Sequence, residues 1–240
     1  MKTHPLFEAK KIVKRFGRST ALNGIDLTLQ KGDFVTIFGA NGAGKTTFLK
    51  IAAMLMSPSS GSIFLEGSDS RDAGNLARAR IGFIAHDTFL YKYLTARENL
   101  RFYGRMYGID NLDMRVNESL NAVGLSRRAD DVIAGYSRGM QQRLTIARAF
   151  LHKPTLLLLD EPYTGLDTYA SEILNRLLIS FKTPGCAGIL TTHNIDQGFD
   201  IATHVIILHR SKIHFYSPTG EIAKEDFKRK YMEVVQPPEK

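Results

Sequence analysis

The sequence predicts a single α/β domain: a mostly parallel sheet buried on both faces, an antiparallel β part before it, and a helical segment inserted into it. Three observations carry this. Residues 156–159 (four leucines) and 189–192 are apolar runs without polar alternation, as expected of strands covered on both sides. Ile25, Leu27 and Leu29 alternate with Asp26, Thr28 and Gln30, the mark of a strand with one wet face. Between residues 88 and 151 the apolar spacing changes to three and four, the helical period.

Taken in order, the alternating strand ends at Lys31-Gly32-Asp33, a short turn leading into 34–38, so these two segments are expected to pair antiparallel. A helix is expected over 45–56, ended by Ser57-Pro58-Ser59-Ser60-Gly61, with strands again at 62–65 and 80–85. The insertion opens at Thr95, which can cap free amides while Glu98 reaches back to it. Leu100, Tyr103 and Tyr107 then share a face; Val116, Leu120 and Val123 mark a second helix stopped by Gly124; a third runs from about 138 to 151. Strands 205–208 and 213–216 flank a turn, and 224–230 (KEDFKRK) reads as a solvated amphipathic end helix. The division is thus a core over about 1–87 and 152–220, helices over about 88–151 and a tail over 221–240.

With 240 residues, 43% hydrophobic and 23% charged, the chain is long enough for a sizeable core. A lone cysteine, Cys186, excludes an internal disulfide, and the start carries no apolar signal run, so a cytosolic location is expected. No apolar run approaches the roughly 20 residues needed to span a bilayer, which leaves any membrane role to a partner. The net charge of +8 suits nucleic acid, an anionic membrane face or polyphosphate ligands, but its basic residues are scattered rather than striped, which argues against nucleic acid.

Residues 39–46, GANGAGKT, fit G-x-x-x-x-G-K-[ST] between a strand and a helix. Glycines there let backbone amides turn inward toward phosphates at a helix N-terminus. Gly39, Asn41, Gly42, Ala43, Gly44 and Thr47 belong to this loop; Lys45 would reach the β- and γ-phosphates, and Thr46 would ligate Mg²⁺. Asp160 and Glu161 follow directly on the leucine run, at the carboxyl end where open sheets place ligands. Asp160 would hold Mg²⁺ through water and Glu161 would orient the water attacking the γ-phosphate; the bland alternative is a helix start favouring acids.

The order of these motifs resembles an ABC-transporter ATPase, a P-loop NTPase with a RecA-like core, over nearly the whole chain. Residues 136–143, YSRGMQQR, stand where that family has its signature, usually LSGGQ, and depart from it at Tyr136, Arg138 and Met140. Ser137 and Gly139 remain, either as an ordinary helix cap or as a second anion site offering the amides of Gly139 and Met140. The resemblance implies that they bind the γ-phosphate held by another protomer's loop, making the working unit a homodimer with ATP at the interface. It further implies that Gly165-Leu166-Asp167 crosses that interface, that His193 senses γ-phosphate and that Phe16 stacks on adenine; without it, Phe16 reads as a core or hairpin residue and His193 as structural. Arg143 and Arg148 read as supports of the signature helix.

Where the family has a glutamine touching Mg²⁺ and the attacking water stands His86. Together with YSRGMQQR and the stretch 90–100, it makes the chain similar to the haem-exporter ATPase of bacterial cytochrome c maturation. The implied partner is an integral membrane subunit received in a groove of the helical segment, with the chain peripheral on the cytoplasmic face of the inner membrane. Rival readings are a soluble ABC protein acting on ribosomes or DNA, which commonly fuses two cassettes or inserts coiled coils absent here, and a scaffold that binds ATP without hydrolysis, against which Glu161 stands. If His86 replaces the glutamine, turnover is sensitive to pH between about 6 and 7.5; His86→Gln should flatten that profile in steady-state ATPase assays, and an unchanged profile would rule the replacement out.

Overall fold

The computed structural model describes residues 4–85, 87–182 and 185–235. Two sheets organise it. The first carries β1 (Phe7–Phe16), β2 (Ser19–Leu29), and, following the core strand β3 (Phe34–Phe38) and helix α1 (Lys45–Ala52), β4 (Ser60–Leu65) and β5 (Ser68–Asp69). Its order is β2-β1-β4-β5, antiparallel throughout. Helix α2 (Ser70–Arg78) leads into β6 (Ile81–Ile84), after which come α3 (Ala96–Met106), α4 (Leu112–Ala122) and α5 (Arg138–Phe150). The chain then alternates β7 (Leu156–Asp160), α6 (Thr168–Phe181), β8 (Ala187–Thr192), α7 (Ile195–Ile201) and β9 (His204–His209), and closes with β10 (Lys212–Pro218) and α8 (Lys224–Val235). The second sheet has order β10-β9-β3-β8-β7-β6, parallel except for β10.

One expectation fails. The turn at Lys31–Asp33 does not make a hairpin: β2 pairs with β1, whereas β3 lies between β8 and β9 in the other sheet. The reason is burial. Every residue of β3 is buried, so it cannot share a half-wet sheet with the alternating β2; the turn is a crossing between sheets. The first helix is also shorter than its apolar pattern, ending at Ala52 with Met54 in the left-handed region (φ 57°).

The buried strands feed two cores at once because side chains alternate across a sheet. Leu156 and Leu158 join the cluster under the antiparallel sheet and α1; Leu157 and Leu159 join the cluster under the helical insertion. In that insertion the capping box at Thr95 and Glu98 forms as expected, with Thr95 Oγ1 accepting from the Glu98 amide and Glu98 accepting from the Thr95 amide. Residues 88–95 are not helical, and two short 3₁₀ turns, Ser126–Arg128 and Ile133–Gly135, precede α5. The end helix is more than a solvated cover: Phe227 is fully buried, its ring 5.0 Å from that of Phe38, while Lys228 pairs with Asp196 at 3.0 Å.

Arg148 and Arg143 brace α5. Buried Arg148 donates to the Phe83 carbonyl (2.8 Å) and lies over the Phe89 and Tyr103 rings; Arg143 donates to the Val123 carbonyl (3.0 Å). Next to Arg148, His152 stacks on Tyr107 with ring centroids 3.9 Å apart, and burial pulls its pKa down to about 4. A folded-state pKa below the unfolded value near 6.5 means that the unfolded chain binds the proton more readily; stability is present above about pH 6.5 and is lost as pH falls toward 4. Urea unfolding at several pH values should show this slope, and His152→Phe should reduce it.

Candidate functional site

The loop between β3 and α1 is shaped by close approaches. Gly44 has φ 110°, and a side chain there would collide with the Ala21 carbonyl oxygen and the Leu22 side chain. A Cβ on Gly39 would strike the Leu208 carbonyl, so β2 and β9 both press the loop into place. Ala43 turns its methyl into the core, Asn41 and Gly42 are exposed, and Thr47 is half-buried. Helix α1 opens with no side-chain cap and no acid in its first turn, leaving its first amides for an anionic ligand. These features fit a nucleotide phosphate cradle.

Lys45 is buried, and its Nζ donates to the Gly39 carbonyl (2.6 Å) and the Ala40 carbonyl (3.3 Å), with Glu161 Oε1 at 3.8 Å. Burial lowers the pKa of its ammonium, opposed by the charges of Glu161 and Asp160. Asp160, 5% exposed, accepts from Thr46 Oγ1 (3.1 Å) and from Thr191 Oγ1 (2.7 Å) on one carboxylate oxygen. A hydroxyl and a carboxylate brought this close form a hard-oxygen donor set suited to Mg²⁺. Glu161 stands in the left-handed region (φ 48°), which turns it out of the line of β7; backbone strain of this kind costs on the order of 1–3 kcal/mol and gathers at functional positions. Its amide donates to the Thr191 carbonyl (3.0 Å), and its Oε2 accepts from His193 Nδ1 (3.0 Å).

Thus the ends of β3, β7 and β8 bring together Thr46, Asp160, Glu161 and His193 around a cavity of about 630 Å³, with buried Lys45 behind Glu161. Ala85 lines it too; His86 itself lies outside the described residues. Phe16 is at the tip of the β1–β2 hairpin, 49% exposed, with Lys14 Nζ 5.2 Å from its ring centre, so the hairpin position rather than the core one is the observed one. Ser137 caps α5 by accepting from the Met140 amide (3.3 Å). Of the two amides expected to face an anion, Met140's is therefore taken by the cap. Gly139 lies against Asp167, which itself caps α6 by accepting from Ala170 (2.7 Å).

Sequence reasoning missed Thr191, Arg138 and Gln142. Thr191 is registered opposite Asp160 across the parallel pair β7–β8, and the two threonines that end a buried strand were the available signal. Arg138 and Gln142 line the same cavity from α5; only the folding-over of the insertion brings them there.

Residues 22–164 match the family described as ABC transporter, and the chain belongs to that family. It is the ATP-binding subunit of an ABC transporter, an ATPase of the ABC type. It is 34% identical over 209 residues to the ABC transporter ATP-binding protein NatA of Bacillus subtilis, a match spanning 86% of this chain and 82% of that one. It is 34% identical over 223 residues to the bacitracin transport ATP-binding protein BcrA of Bacillus licheniformis, covering 92% and 72% respectively. Of the linearmycin resistance ATP-binding protein LnrL of Bacillus subtilis, it spans 62%. Among solved structures, an ATP-binding subunit of an ABC transporter superposes with a TM-score of 0.88 at 28% identity, over 95% of this chain and 99% of that one. A dimeric ATP-binding cassette in a post-hydrolysis state bound to ADP and Pi gives 0.80 at 26% identity, over 89% and 98%. No helix among the described residues is long and apolar enough to cross a membrane.

Thr191→Val keeps the shape of the side chain and removes a donor from buried Asp160. The expected outcome is a stability loss of about 1–2 kcal/mol in urea titration, with ATP turnover down by about tenfold.

Proposed function

We propose that two copies of this chain close on two ATP molecules, that closure drives an integral membrane subunit, and that hydrolysis reopens the pair. The observation that carries this reading is the holding of Glu161 between His193 and Lys45 beside the phosphate loop. Lys45 would neutralise the phosphates from its buried perch, Thr46 and Asp160 would hold Mg²⁺, and His86 is a further candidate ligand for it. When bound, Mg²⁺ draws charge from the β- and γ-phosphate oxygens. Glu161 orients and polarises the attacking water, and its contact with His193 fixes the carboxylate while making His193 responsive to the γ-phosphate. Phe16 offers an exposed ring face for adenine.

Pairing as a homodimer is supported by the dimeric cassette that this chain resembles and by the exposed Ser137 at the start of α5. Ser137, Gly139 and Asp167 then meet the nucleotide held by the second copy. A groove of about 400 Å³ between the core and the insertion, lined by Leu55, Phe83, Phe89, Tyr103 and Met106, is suited to a helix of the membrane subunit. On this reading the chain works peripherally, on the cytoplasmic face of the inner membrane. For cargo we take haem export for cytochrome c maturation, on the strength of His86 and the signature YSRGMQQR; relatives are named for bacitracin transport, Nod factor export and Fe(3+) import.

Glu161→Gln should lower turnover by at least about a hundredfold and, in size-exclusion chromatography with ATP, run as a dimer. A variant that stays monomeric at saturating ATP would sink the sandwich.

A further inference from the structure

Arg138 occupies a signature position where the family pattern has glycine, and the reading above leaves it without a role. Its cost is visible. It is a cation in the first turn of α5, where the helix dipole disfavours positive charge, and no acid in that turn offsets it. Its guanidinium occupies the space a side chain at Gly165 would need: a Cβ built there would lie 2.6 Å from Arg138 Nη2 and 3.1 Å from Gln142 Nε2. Gly165 has φ 76° and no room for a side chain beneath these two groups. Gln142 adds a hydrogen bond of its own, Nε2 donating to the Thr164 carbonyl at 3.2 Å. In the same first turn, a Cβ at Gly139 would stand 2.9 Å from Asp167 Oδ2. The start of α5 therefore touches the segment 164–167 at three successive points.

That segment is stiff and short. The Thr164 amide donates to the Glu161 carbonyl (3.0 Å) and the Leu166 amide to the Tyr163 carbonyl (3.1 Å), so two turns follow directly from Glu161. Tyr163 Oη donates to Asn175 Oδ1 (2.6 Å), and Asp167 caps α6, which anchors both ends on one helix. The first turn of α5 is thus linked through this segment to the Glu161 backbone, itself in a left-handed conformation.

We propose that Arg138 is a positioning residue, clamping the signature turn to the loop that carries Glu161, so that a phosphate seated at one chain's α5 sets the alignment of that same chain's hydrolytic carboxylate. This rests on the sandwich reading above. Its planar fork, rather than its charge alone, makes the clamp, since a lysine ammonium cannot lie flat over Gly165.

The test is ATPase kinetics of Arg138→Ala, Arg138→Lys and Gln142→Ala, together with ATP-driven dimerisation of Arg138→Ala placed in the Glu161→Gln background. Thermal melting accompanies each variant, and Gln142→Ala probes the same clamp from a second residue should Arg138→Ala not fold. The clamp predicts kcat lowered about tenfold with KM for ATP within about twofold in Arg138→Ala, no rescue by lysine, a smaller fall in Gln142→Ala, and dimerisation preserved. A raised KM with lost dimerisation, restored by lysine, would make Arg138 a direct phosphate ligand and overturn the clamp. Kinetics of both alanine variants equal to the wild type would overturn it as well. Failure of Glu161→Gln alone to dimerise tells against the sandwich reading, and is separable because it involves no change at Arg138.

Discussion

A carboxylate removed from water is costly unless its lone pairs are met, and the penalty per ion is several kcal/mol even after relaxation. Asp160 is such a group: it is buried at the end of β7 and accepts from Thr46 on α1 and Thr191 on β8. Three elements distant in sequence must be in register for that carboxylate to be satisfied. The phosphate loop, the strand leading into Glu161 and the strand leading into His193 are aligned by the same requirement. The rest of the site is arranged around this alignment.

Lys45 and Glu161 show how charge is kept usable in such a place. Burial favours the uncharged amine of Lys45, while Glu161 and Asp160 favour the ammonium, so the cation is held in low dielectric by the two acids that follow the leucine strand. The carbonyls of Gly39 and Ala40 accept hydrogen bonds from it. Glu161 leaves the strand through a strained residue, which separates its side chain from the fully buried path of Asp160 only one position earlier. Two neighbouring acids thereby occupy different environments on one cavity, Asp160 5% exposed and the Glu161 side chain 25% exposed.

The helical insertion is coupled to this centre mechanically. Alternate leucines of β7 pack into the core under the antiparallel sheet and into the core under the insertion, so movement of one layer is felt by the other through a single strand. Arg148 ties α5 to β6 through the Phe83 carbonyl, and Gln142 ties it to the loop after Glu161. Groove, α5 and Glu161 are connected by direct contacts, which is the physical basis for the coupling to a partner proposed above.

Local patterns carried much of this in the sequence itself. The glycine-rich loop, the leucine strand followed by Asp160 and Glu161, the capping box at Thr95 and the apolar periods of α3 to α5 each depend on neighbours a few residues apart, where backbone geometry and burial leave a direct trace. What depends on distant pairing left none. The crossing from β2 to β3 between sheets was hidden because a short turn serves a hairpin and a sheet change equally well. Thr191 could be recognised as a partner of Asp160 only once β7 and β8 lay side by side, and Arg138 and Gln142 reached Gly165 only once the insertion folded back. Residue types and spacings determined which chemistry this chain carries; tertiary structure decided which groups hold it in place, because hydrogen bonds between remote elements are set by packing and not by proximity along the chain.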